Sequence, residues 1–281
     1  MAEPLEFFKM SGAGNDFIVG DNRQGQWDAY PAEALARGLC RRGLSIGADG
    51  LILLETSNRA HFRLRIHNSD GSDGVMCGNG ARCAARVAFI RVIAGRRMTM
   101  ETGAGVIAAE IFHDGSVRVE IPGRAEPPVR LDLALGGRRV PCYLTESGVP
   151  HLVVFVKDVP SVAVQELGAA LRHAPELGPD GANVNFVALG PEPILMRSFE
   201  RGVEGETQSC GTGATAVAWV LYRLGQAGTR VRLLPRSGKE LLVEIDPTRA
   251  TSNPFRLTGE ARLVFRGFLS EESLQEALAC S

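Results

Sequence analysis

Hydrophobic and polar residues alternate in many short segments of this chain, a pattern that predicts half-buried β-strands. The clearest of these segments are RLRIH (63–67), SVRVEI (116–121), LVVFV (152–156), LLVEI (241–245) and RLVF (262–265). Two longer segments, at about 80–94 and 213–224, are apolar around most of their circumference, which predicts buried helices. Strand-type alternation around a buried helix, found twice, predicts two curled sheets that each wrap a central helix.

The two predicted helices belong to an internal repeat. Residues 77–89 read CGNGARCAARVAF and residues 210–222 read CGTGATAVAWVLY, so the offset is 210 − 77 = 133 residues in a chain of 281. Gly95 and Gly225 follow the two helices, and each is predicted to end its helix in a left-handed conformation. The repeat therefore predicts two similar lobes.

The remaining pattern predicts scaffold helices at 31–42, at 161–172 and after Ser270, where SEESLQEAL resembles a capping box. The proline-rich segment 122–132 marks the predicted crossing between the lobes. The last strand, RLVFRGF (262–268), is predicted to return to the first lobe.

These crossings define two lobes along the chain. The predicted N-terminal lobe comprises residues 1–121 and 262–281 and carries Cys77. The predicted C-terminal lobe comprises residues 122–261 and carries Cys210.

Composition narrows the functional class. A net charge of −1 gives no electrostatic reason to expect nucleic acid or an anionic membrane as a partner. No apolar run approaches the ~20 residues that a membrane span needs. The start, MAEPLEFFKM, lacks the features of a signal peptide, so a cytoplasmic location is the default expectation.

Cysteine and histidine spacing does not favour a metal site. The chain has six cysteines but no C-x-x-C, and its five histidines are scattered. Cysteines in a reducing compartment are mostly free thiols. We expect four of them to be core residues, namely Cys40, Cys83, Cys142 and Cys280.

The two Cys-Gly-x-Gly turns suggest a specific chemistry. A helix N-terminus presents unpaired N–H groups and a partial positive charge, and glycines let a ligand approach, so each turn suits a carboxylate. A cysteine there is predicted to have its pKa lowered from ~8.5 toward neutrality. If Cys77 and Cys210 face one α-carbon, a thiolate can remove its proton and a thiol can return one to the opposite face. A purely structural pair of turns, or a disulfide between Cys77 and Cys210, are the alternatives.

Further motifs place the chain near a known family. They are KMSGAGNDFIV (9–19), IGADG (46–50), RIHNSDGSDGVMCGNGARC (65–83), ANVNFV (182–187), FERGVEGETQSCGTGA (199–214) and TGEA (258–261). In order and number they resemble the diaminopimelate epimerase family nearly end to end. That resemblance implies conversion of LL-2,6-diaminopimelate to the meso form, in lysine and peptidoglycan precursor synthesis, without pyridoxal phosphate, metal or other cofactor.

The resemblance also implies a fold and an assembly. The fold is α+β with two pseudo-symmetric lobes, each a curled, mostly antiparallel sheet around a central buried helix, and an active site in the cleft between them. It further implies a cytoplasmic homodimer with a small-molecule substrate and no nucleic-acid or membrane partner.

Roles for individual residues follow from the same resemblance. Cys77 and Cys210 match the catalytic cysteines, and His151 and Glu200 match groups that tune their pKa. The substrate-binding positions are Asn15, Asn68, Gly78, Asn79, Asn183, Glu200, Arg201, Gly211 and Thr212. The two Cys-Gly-x-Gly turns would hold the reacting carboxylate. The distal carboxylate would be held by Asn68, Asn183 and Arg201. Glu200 and the Asn side chains suit ammonium groups.

Three departures from the family pattern bear on substrate identity. Many members have Gln where this chain has Gly50, and Asn where it has Val149, and Glu204 is additional in ERGVEGET. A racemase of another amino acid, such as histidine, and a non-catalytic amino-acid binding protein therefore stay as alternatives.

Overall fold

The computed structural model describes residues 4–249 and 253–279. The chain divides into two compact units, one formed by Met1–Val119 and Glu260–Ser281 and the other by Glu120–Gly259. Both crossings lie two residues from the predicted boundaries.

The first unit holds the first half of the repeat. Its described α-helices and strands, labelled in chain order, are β1 (Glu6–Gly12), β2 (Asn15–Asp21), α1 (Ala32–Leu39), β3 (Gly50–Glu55), β4 (Phe62–Asn68), β5 (Asp73–Gly74), α2 (Gly78–Ile90), β6 (Arg97–Thr102), β7 (Gly105–Ile111), β8 (Val117–Ile121), β18 (Arg262–Phe268) and α5 (Glu271–Ala279). Strand β8 runs across the boundary into the second unit.

The sheet of the first unit is mostly antiparallel and surrounds α2. Its strands pair in the order β18-β1-β2-β3-β4-β6-β7-β8. Two pairs are parallel, β2 with β3 and β4 with β6, because the connections between them contain α1 and α2. The last strand, β18, pairs with β1, as the sequence predicts.

The second unit holds the second half of the repeat. Its α-helices and strands are β9 (Val129–Leu135), β10 (Arg138–Glu146), β11 (Pro150–Phe155), α3 (Val164–Arg172), β12 (Asn183–Val187), β13 (Ile194–Glu200), β14 (Gly205–Thr207), α4 (Gly211–Arg223), β15 (Arg230–Leu234), β16 (Leu241–Ile245) and β17 (Phe255–Gly259). Short 3₁₀ turns cover Gln26–Ala29 in the first unit, and Pro175–Leu177 and Pro247–Arg249 in the second.

The second sheet repeats the topology of the first. Its order is β9-β10-β11-β12-β13-β15-β16-β17, again with two parallel pairs, β11 with β12 and β13 with β15. Helix α3 lies in the first parallel connection and α4 in the second. The predicted fold class, two similar units in which a curled sheet surrounds a buried helix, is confirmed.

Helices α2 and α4 begin two residues earlier than predicted, and their ends differ. Gly225 has φ +69° and closes α4, as predicted. Gly95 does not close α2: the helix ends at Ile90, and Val92 takes the left-handed conformation with φ +55°. The reason is a C-terminal hydrogen bond from the Ile93 N–H to the Ala88 carbonyl, which turns the chain one residue past Arg91.

The scaffold helices follow the sequence pattern closely. Pro31 directly precedes α1, and the hydroxyl of Ser270 caps α5 by accepting the Ser273 N–H at 3.1 Å. Of the cysteines predicted to be in the core, Cys40, Cys83 and Cys142 are buried. Cys280 lies outside the described residues.

Candidate active site

Cys77 and Cys210 occupy the same structural position in the two units. Each is the N-cap of its helix, with an extended backbone (φ −136° and −111°). Each sulfur accepts the N–H of the third residue onward, Gly80 or Gly213, at 3.4 Å. The thiol thus replaces the Ser or Asp oxygen that commonly caps a helix, and it sits directly over the unpaired N–H groups.

Close packing explains glycines around both turns. A Cβ on Gly213 would lie 2.3 Å from the Asn185 side-chain oxygen. A Cβ on Gly12 would lie 2.8 Å from the Asn79 carbonyl oxygen. The first turns of α2 and α4 therefore approach their sheets so closely that any other residue would shift them.

Neutral amides surround Cys77, which is half-buried and a free thiol. Its sulfur lies 3.8 Å from Asn15 Oδ1, and Asn79 Nδ2 donates to the same oxygen at 3.4 Å. Asn15 donates its Nδ2 to the Asp49 carboxylate, and this contact fixes the orientation of the amide. Asp49, which the motif analysis missed, therefore positions the Asn15 oxygen beside Cys77.

A buried cation lies behind the same turn. Arg82 is fully buried, and its guanidinium donates to Asn79 Oδ1 at 2.9 Å and to the carbonyls of Gly78 and Glu260, each at 3.3 Å. Burial lowers the pKa of Arg82, and the nearby Cys83, Cys77 and Glu260 act in the opposite direction. Because guanidinium stays protonated in proteins, this is a fixed positive charge beneath the Cys77 turn.

Cys210 has a different environment, which overturns one prediction. Burial, and then the negative charge of Glu200, raise the pKa of the Cys210 thiol well above its usual range. The Gly213 N–H and the Thr212 hydroxyl, 3.6 Å from the sulfur, act in the opposite direction but do not prevail. The expectation that both thiols have lowered pKa values is therefore wrong for Cys210, because desolvation outweighs the helix terminus.

The strand end that precedes Cys210 carries two of the predicted site residues. Glu200 ends β13, and its carboxylate accepts the Thr207 hydroxyl. The backbone N–H of Arg201 donates to Asn183 Oδ1 at 2.8 Å. The additional residue, Glu204, has φ +52° and ties this loop to α3 through Arg172 Nε at 3.2 Å.

His151 is completely buried and neutral. Burial, and then the positive charge of Arg201, lower its pKa to about 3. Its Nδ1 lies 3.1 Å from Asn185 Nδ2, and its Nε2 lies 3.5 Å from Asn183 Nδ2. An imidazole held neutral at physiological pH can donate or accept a hydrogen bond but carries no charge.

Gly50, one of the positions that depart from the family pattern, has a local explanation. A Cβ on Gly50 would lie 2.8 Å from the His67 carbonyl oxygen, so a glycine lets β3 and β4 approach where Gly50 pairs with Asn68. Near Val149, the buried Ser147 hydroxyl donates to the Thr212 carbonyl at 2.8 Å and anchors the Cys210 turn.

In each unit, contacts join most of the predicted site residues at the start of the central helix. In the first unit Asn15, Cys77, Gly78 and Asn79 lie together at the start of α2. Asn68, at the end of β4, donates to the Ser72 hydroxyl at 2.9 Å.

The second unit brings together a larger group at the start of α4. Its members are His151, Asn183, Glu200, Arg201, Cys210, Gly211 and Thr212.

Among the described residues, no three His, Cys, Asp or Glu side chains are grouped as metal ligands. None of the helices in residues 4–249 and 253–279 is long and apolar enough to cross a bilayer.

Sequence reasoning missed four residues that support these groups, namely Asp49, Arg82, Ser147 and Asn185. Two of them had a signal: Arg82 interrupts an apolar helix pattern, and Asn185 follows Asn183 by two residues in a fully buried strand. A charged or amide group inside an apolar element must have partners, and so marks a buried polar network.

Comparisons with known proteins find relatives over nearly the whole chain. A family profile described as "Diaminopimelate epimerase" matches residues 7–125 and 143–264. The diaminopimelate epimerase of Aquifex aeolicus is 42% identical over 282 residues, which is 96% of this chain and 100% of the relative. That of Chlorobaculum tepidum is 41% identical and covers 93% of this chain and 100% of the relative.

Solved structures share the fold at low identity. A PhzF-family phenazine biosynthesis protein from Bacillus anthracis has a TM-score of 0.71 at 14% identity and covers 95% of this chain and 99% of its own. A hydroxyproline epimerase from Agrobacterium vitis has a TM-score of 0.70 at 16% identity, with coverage of 97% and 94%.

Proposed function

Because the chain belongs to the diaminopimelate epimerase family, we propose that it inverts one α-carbon of LL-2,6-diaminopimelate to give the meso isomer. The reaction serves lysine and peptidoglycan precursor synthesis. The observation that carries the proposal is the pair of matched helix N-caps, in which Cys77 and Cys210 each accept the N–H of a glycine three residues on. Binding alone requires no such thiols.

Substrate binding is proposed to use the backbone of both turns. The N–H groups around Gly78 and Asn79, and around Gly211 and Thr212, suit the carboxylate on the reacting carbon. When that carbon loses its proton, negative charge moves into this carboxylate, and donors aimed at developing charge lower the barrier most.

The far end of the substrate is assigned to other side chains. Asn68, Asn183 and Arg201 would hold the distal carboxylate, for which a guanidinium fork is well suited. Asn15 and Glu200 would bind ammonium groups.

The charges around the two sulfurs favour different protonation states. Arg82 places a buried positive charge beneath the Cys77 turn, which favours a thiolate there. Glu200 and burial favour a thiol at Cys210. Cys83 also lies near Arg82, but burial raises its pKa to about 12 and keeps it a thiol.

The proposed reaction follows from that difference. The Cys77 thiolate takes the α-proton of the LL substrate, and the electron pair of the broken C–H bond moves into the carboxylate. The Cys210 thiol then gives its proton to the opposite face of the carbon. The cycle leaves Cys77 as thiol and Cys210 as thiolate, and proton exchange with solvent restores the starting state.

Deuterated water provides the direct test. Reduced protein incubated with LL-diaminopimelate in D₂O should place deuterium at one α-carbon of the meso product without added pyridoxal phosphate. Cys77→Ala and Cys210→Ala should each lower kcat by at least about 10³-fold, because each removes a general acid or base. Cys83→Ala is the matched control, since its counterpart in the repeat is Ala216, and it should stay active.

Three outcomes would contradict the proposal. Exchange that requires pyridoxal phosphate would exclude the two-thiol mechanism. Turnover of another amino acid, retained in Arg201→Ala, would favour the alternative racemase that Gly50 and Val149 raise. Tight binding of diaminopimelate by the reduced protein with no α-proton exchange would indicate a binding protein.

Assembly and compartment are part of the same proposal. Strand β18 pairs with β1 and carries partly exposed apolar side chains, Leu263, Val264, Phe265 and Phe268, which would be covered by a second copy in a homodimer. Val264→Glu should shift the mass measured by light scattering from dimer to monomer. A reducing compartment such as the cytoplasm is proposed because both cysteines must stay free.

A further inference from the structure

We propose that Asn185 is a positioning residue that holds His151 as the Nε2–H tautomer and so gives the Cys210 half of the site a neutral N–H donor. The tautomer of His151 does not depend on the proposed epimerase function, whereas its catalytic consequence rests on that function. Neither the sequence motifs nor the family resemblance implies a role for Asn185.

The orientation of the Asn185 amide is fixed from two sides. Asn185 is fully buried in β12, beside β11. Its Nδ2 lies 3.0 Å from the Leu152 carbonyl oxygen, and its Oδ1 lies 2.8 Å from the Ser198 hydroxyl. Because a carbonyl can only accept, the nitrogen must face Leu152, and a flipped amide would set two oxygens against each other.

That orientation determines the proton position on His151. The same Nδ2 lies 3.1 Å from His151 Nδ1, so its second N–H points at this ring nitrogen. Two N–H groups cannot share one hydrogen bond, so Nδ1 is the acceptor. A neutral imidazole whose Nδ1 accepts carries its proton on Nε2.

The proton on Nε2 is not used by the neighbouring asparagine. Asn183 Nδ2 also faces the ring, but it lies 3.5 Å from Nε2 and equally far from the Pro150 carbonyl oxygen, so only the 3.1 Å contact at Nδ1 has a normal hydrogen-bond length. The Asn183 Oδ1 is taken by the Arg201 backbone N–H at 2.8 Å. A donor at Nε2 instead suits an anion, and the reaction proposed here brings two of them, the substrate carboxylate and the Cys210 thiolate. A neutral donor stabilises such an anion without competing for the proton that Cys210 transfers.

The same amide also supports the Cys210 turn. A Cβ on Gly213 would lie 2.3 Å from Asn185 Oδ1, so the first turn of α4 rests directly on this side chain. Gly213 is the residue whose N–H caps the Cys210 sulfur. One buried side chain thus contacts both the histidine and the cysteine turn of this unit.

The tautomer can be read directly in the intact protein. ¹⁵N-histidine spectra should show, for His151, an unprotonated Nδ1 and a protonated Nε2, unchanged between about pH 5 and 9 because the ring does not ionise there. His151→Gln assigns the signal. A protonated Nδ1, or a His151 ring that titrates within this range, would overturn the proposal.

Asn185→Asp tests the cause. A carboxylate of the same shape can only accept, so it should demand a proton on Nδ1 and move the ring to the other tautomer or to imidazolium. We expect kcat to fall by about 10- to 100-fold with KM nearly unchanged. Ser198→Ala is the matched control, since it keeps the Asn185 nitrogen and should keep the Nε2–H tautomer.

The readouts separate this proposal from the proposed function. If Asn185→Asp does not fold, Asn185→Ser should show a mixture of tautomers, because it removes the donor without adding charge. An unchanged tautomer in a folded variant, or a changed tautomer with unchanged kcat, would overturn the role of Asn185. Deuterium exchange by the wild-type protein would stand in both cases.

Discussion

The two cysteine turns have the same backbone and different charges around them. In both, the sulfur accepts a glycine N–H at 3.4 Å at the start of a buried helix. The fifth residue beyond Cys77 is Arg82, and its counterpart beyond Cys210 is Thr215; both donate to the carbonyl of the first helical glycine. One contact brings a buried positive charge and the other is neutral.

A second pair of equivalent positions differs in the same sense. Glu200, which raises the pKa of Cys210, is the last residue of β13, and its counterpart at the end of β4 is Asn68. Asn68 has an amide side chain, so the equivalent position of the first half carries no charge. The repeat has kept the shape of each half and changed the charges, which is what distinguishes a base from an acid.

The largest expected effect comes from removing the buried cation. Arg82→Met should raise the pKa of Cys77, so that alkylation of Cys77 by iodoacetamide, measured in a Cys210→Ser background, begins at least about one pH unit higher. The acid limb of the kcat/KM profile should move upward too, and kcat/KM should fall by about 10²- to 10³-fold.

Two variants isolate the charge of Arg82 from its shape. Arg82→Lys keeps a cation and should recover part of the shift, although a point charge does not reproduce the guanidinium fork. Thr215→Val, at the matching position of α4, should leave Cys77 alkylation unchanged. If Cys77 alkylation has the same pH profile in Arg82→Met as in the protein that keeps Arg82, then Arg82 has only a packing role.

Removing the negative charge should act in the opposite direction on the other cysteine. Glu200→Gln should lower the pKa of Cys210, so its alkylation in a Cys77→Ser background begins at lower pH. Activity should fall by about 10- to 100-fold, because Cys210 holds its proton less well as an acid. Glu166→Gln, an exposed carboxylate on α3, is the control. A higher pKa of Cys210 in Glu200→Gln would contradict the assignment of Cys210 as the resting thiol.

The sequence predicted the repeat, the fold and the two cysteines because these depend on local patterns. Apolar periodicity, alternation and the Cys-Gly-x-Gly turns are each visible within a dozen residues. Sequence could not show that Asp49 orients Asn15, or that Asn185 contacts His151, because these contacts join segments 34 residues apart. The direction of the Cys210 shift also needed the fold, since desolvation depends on everything packed around the sulfur.

A smaller effect is expected at the additional residue Glu204. Its carboxylate contacts Arg172 at 3.2 Å and His173 at 3.6 Å, and holds the loop that begins with Arg201. Glu204→Gln should raise KM for diaminopimelate about two- to fivefold with kcat unchanged, because a half-exposed ion pair contributes little. Glu176→Gln, outside this loop, should leave KM unchanged. A fall in kcat at constant KM would assign Glu204 to the chemical step instead.

The smallest effect concerns the other ends of the two helices, where the repeat differs in strain. Val92 and Gly225 are equivalent residues, with φ of +55° and +69°, and each precedes the same closing hydrogen bond, Ile93 to Ala88 or Gln226 to Leu221. A β-branched residue is strained in this conformation, whereas glycine is not. Val92 is 89% exposed, so Val92→Gly removes little packing and should stabilise the protein by about 1 kcal/mol in urea unfolding. Gly225→Ala, whose Cβ would have no neighbour within 4 Å, should destabilise it by about the same amount.

Because both ends lie far along the helices from Cys77 and Cys210, neither change should alter kcat. Val92→Ala, which keeps a Cβ but not the branch, should fall between Val92 and glycine; a Val92→Gly protein less stable than wild type would show that the exposed side chain contributes more than its strain costs.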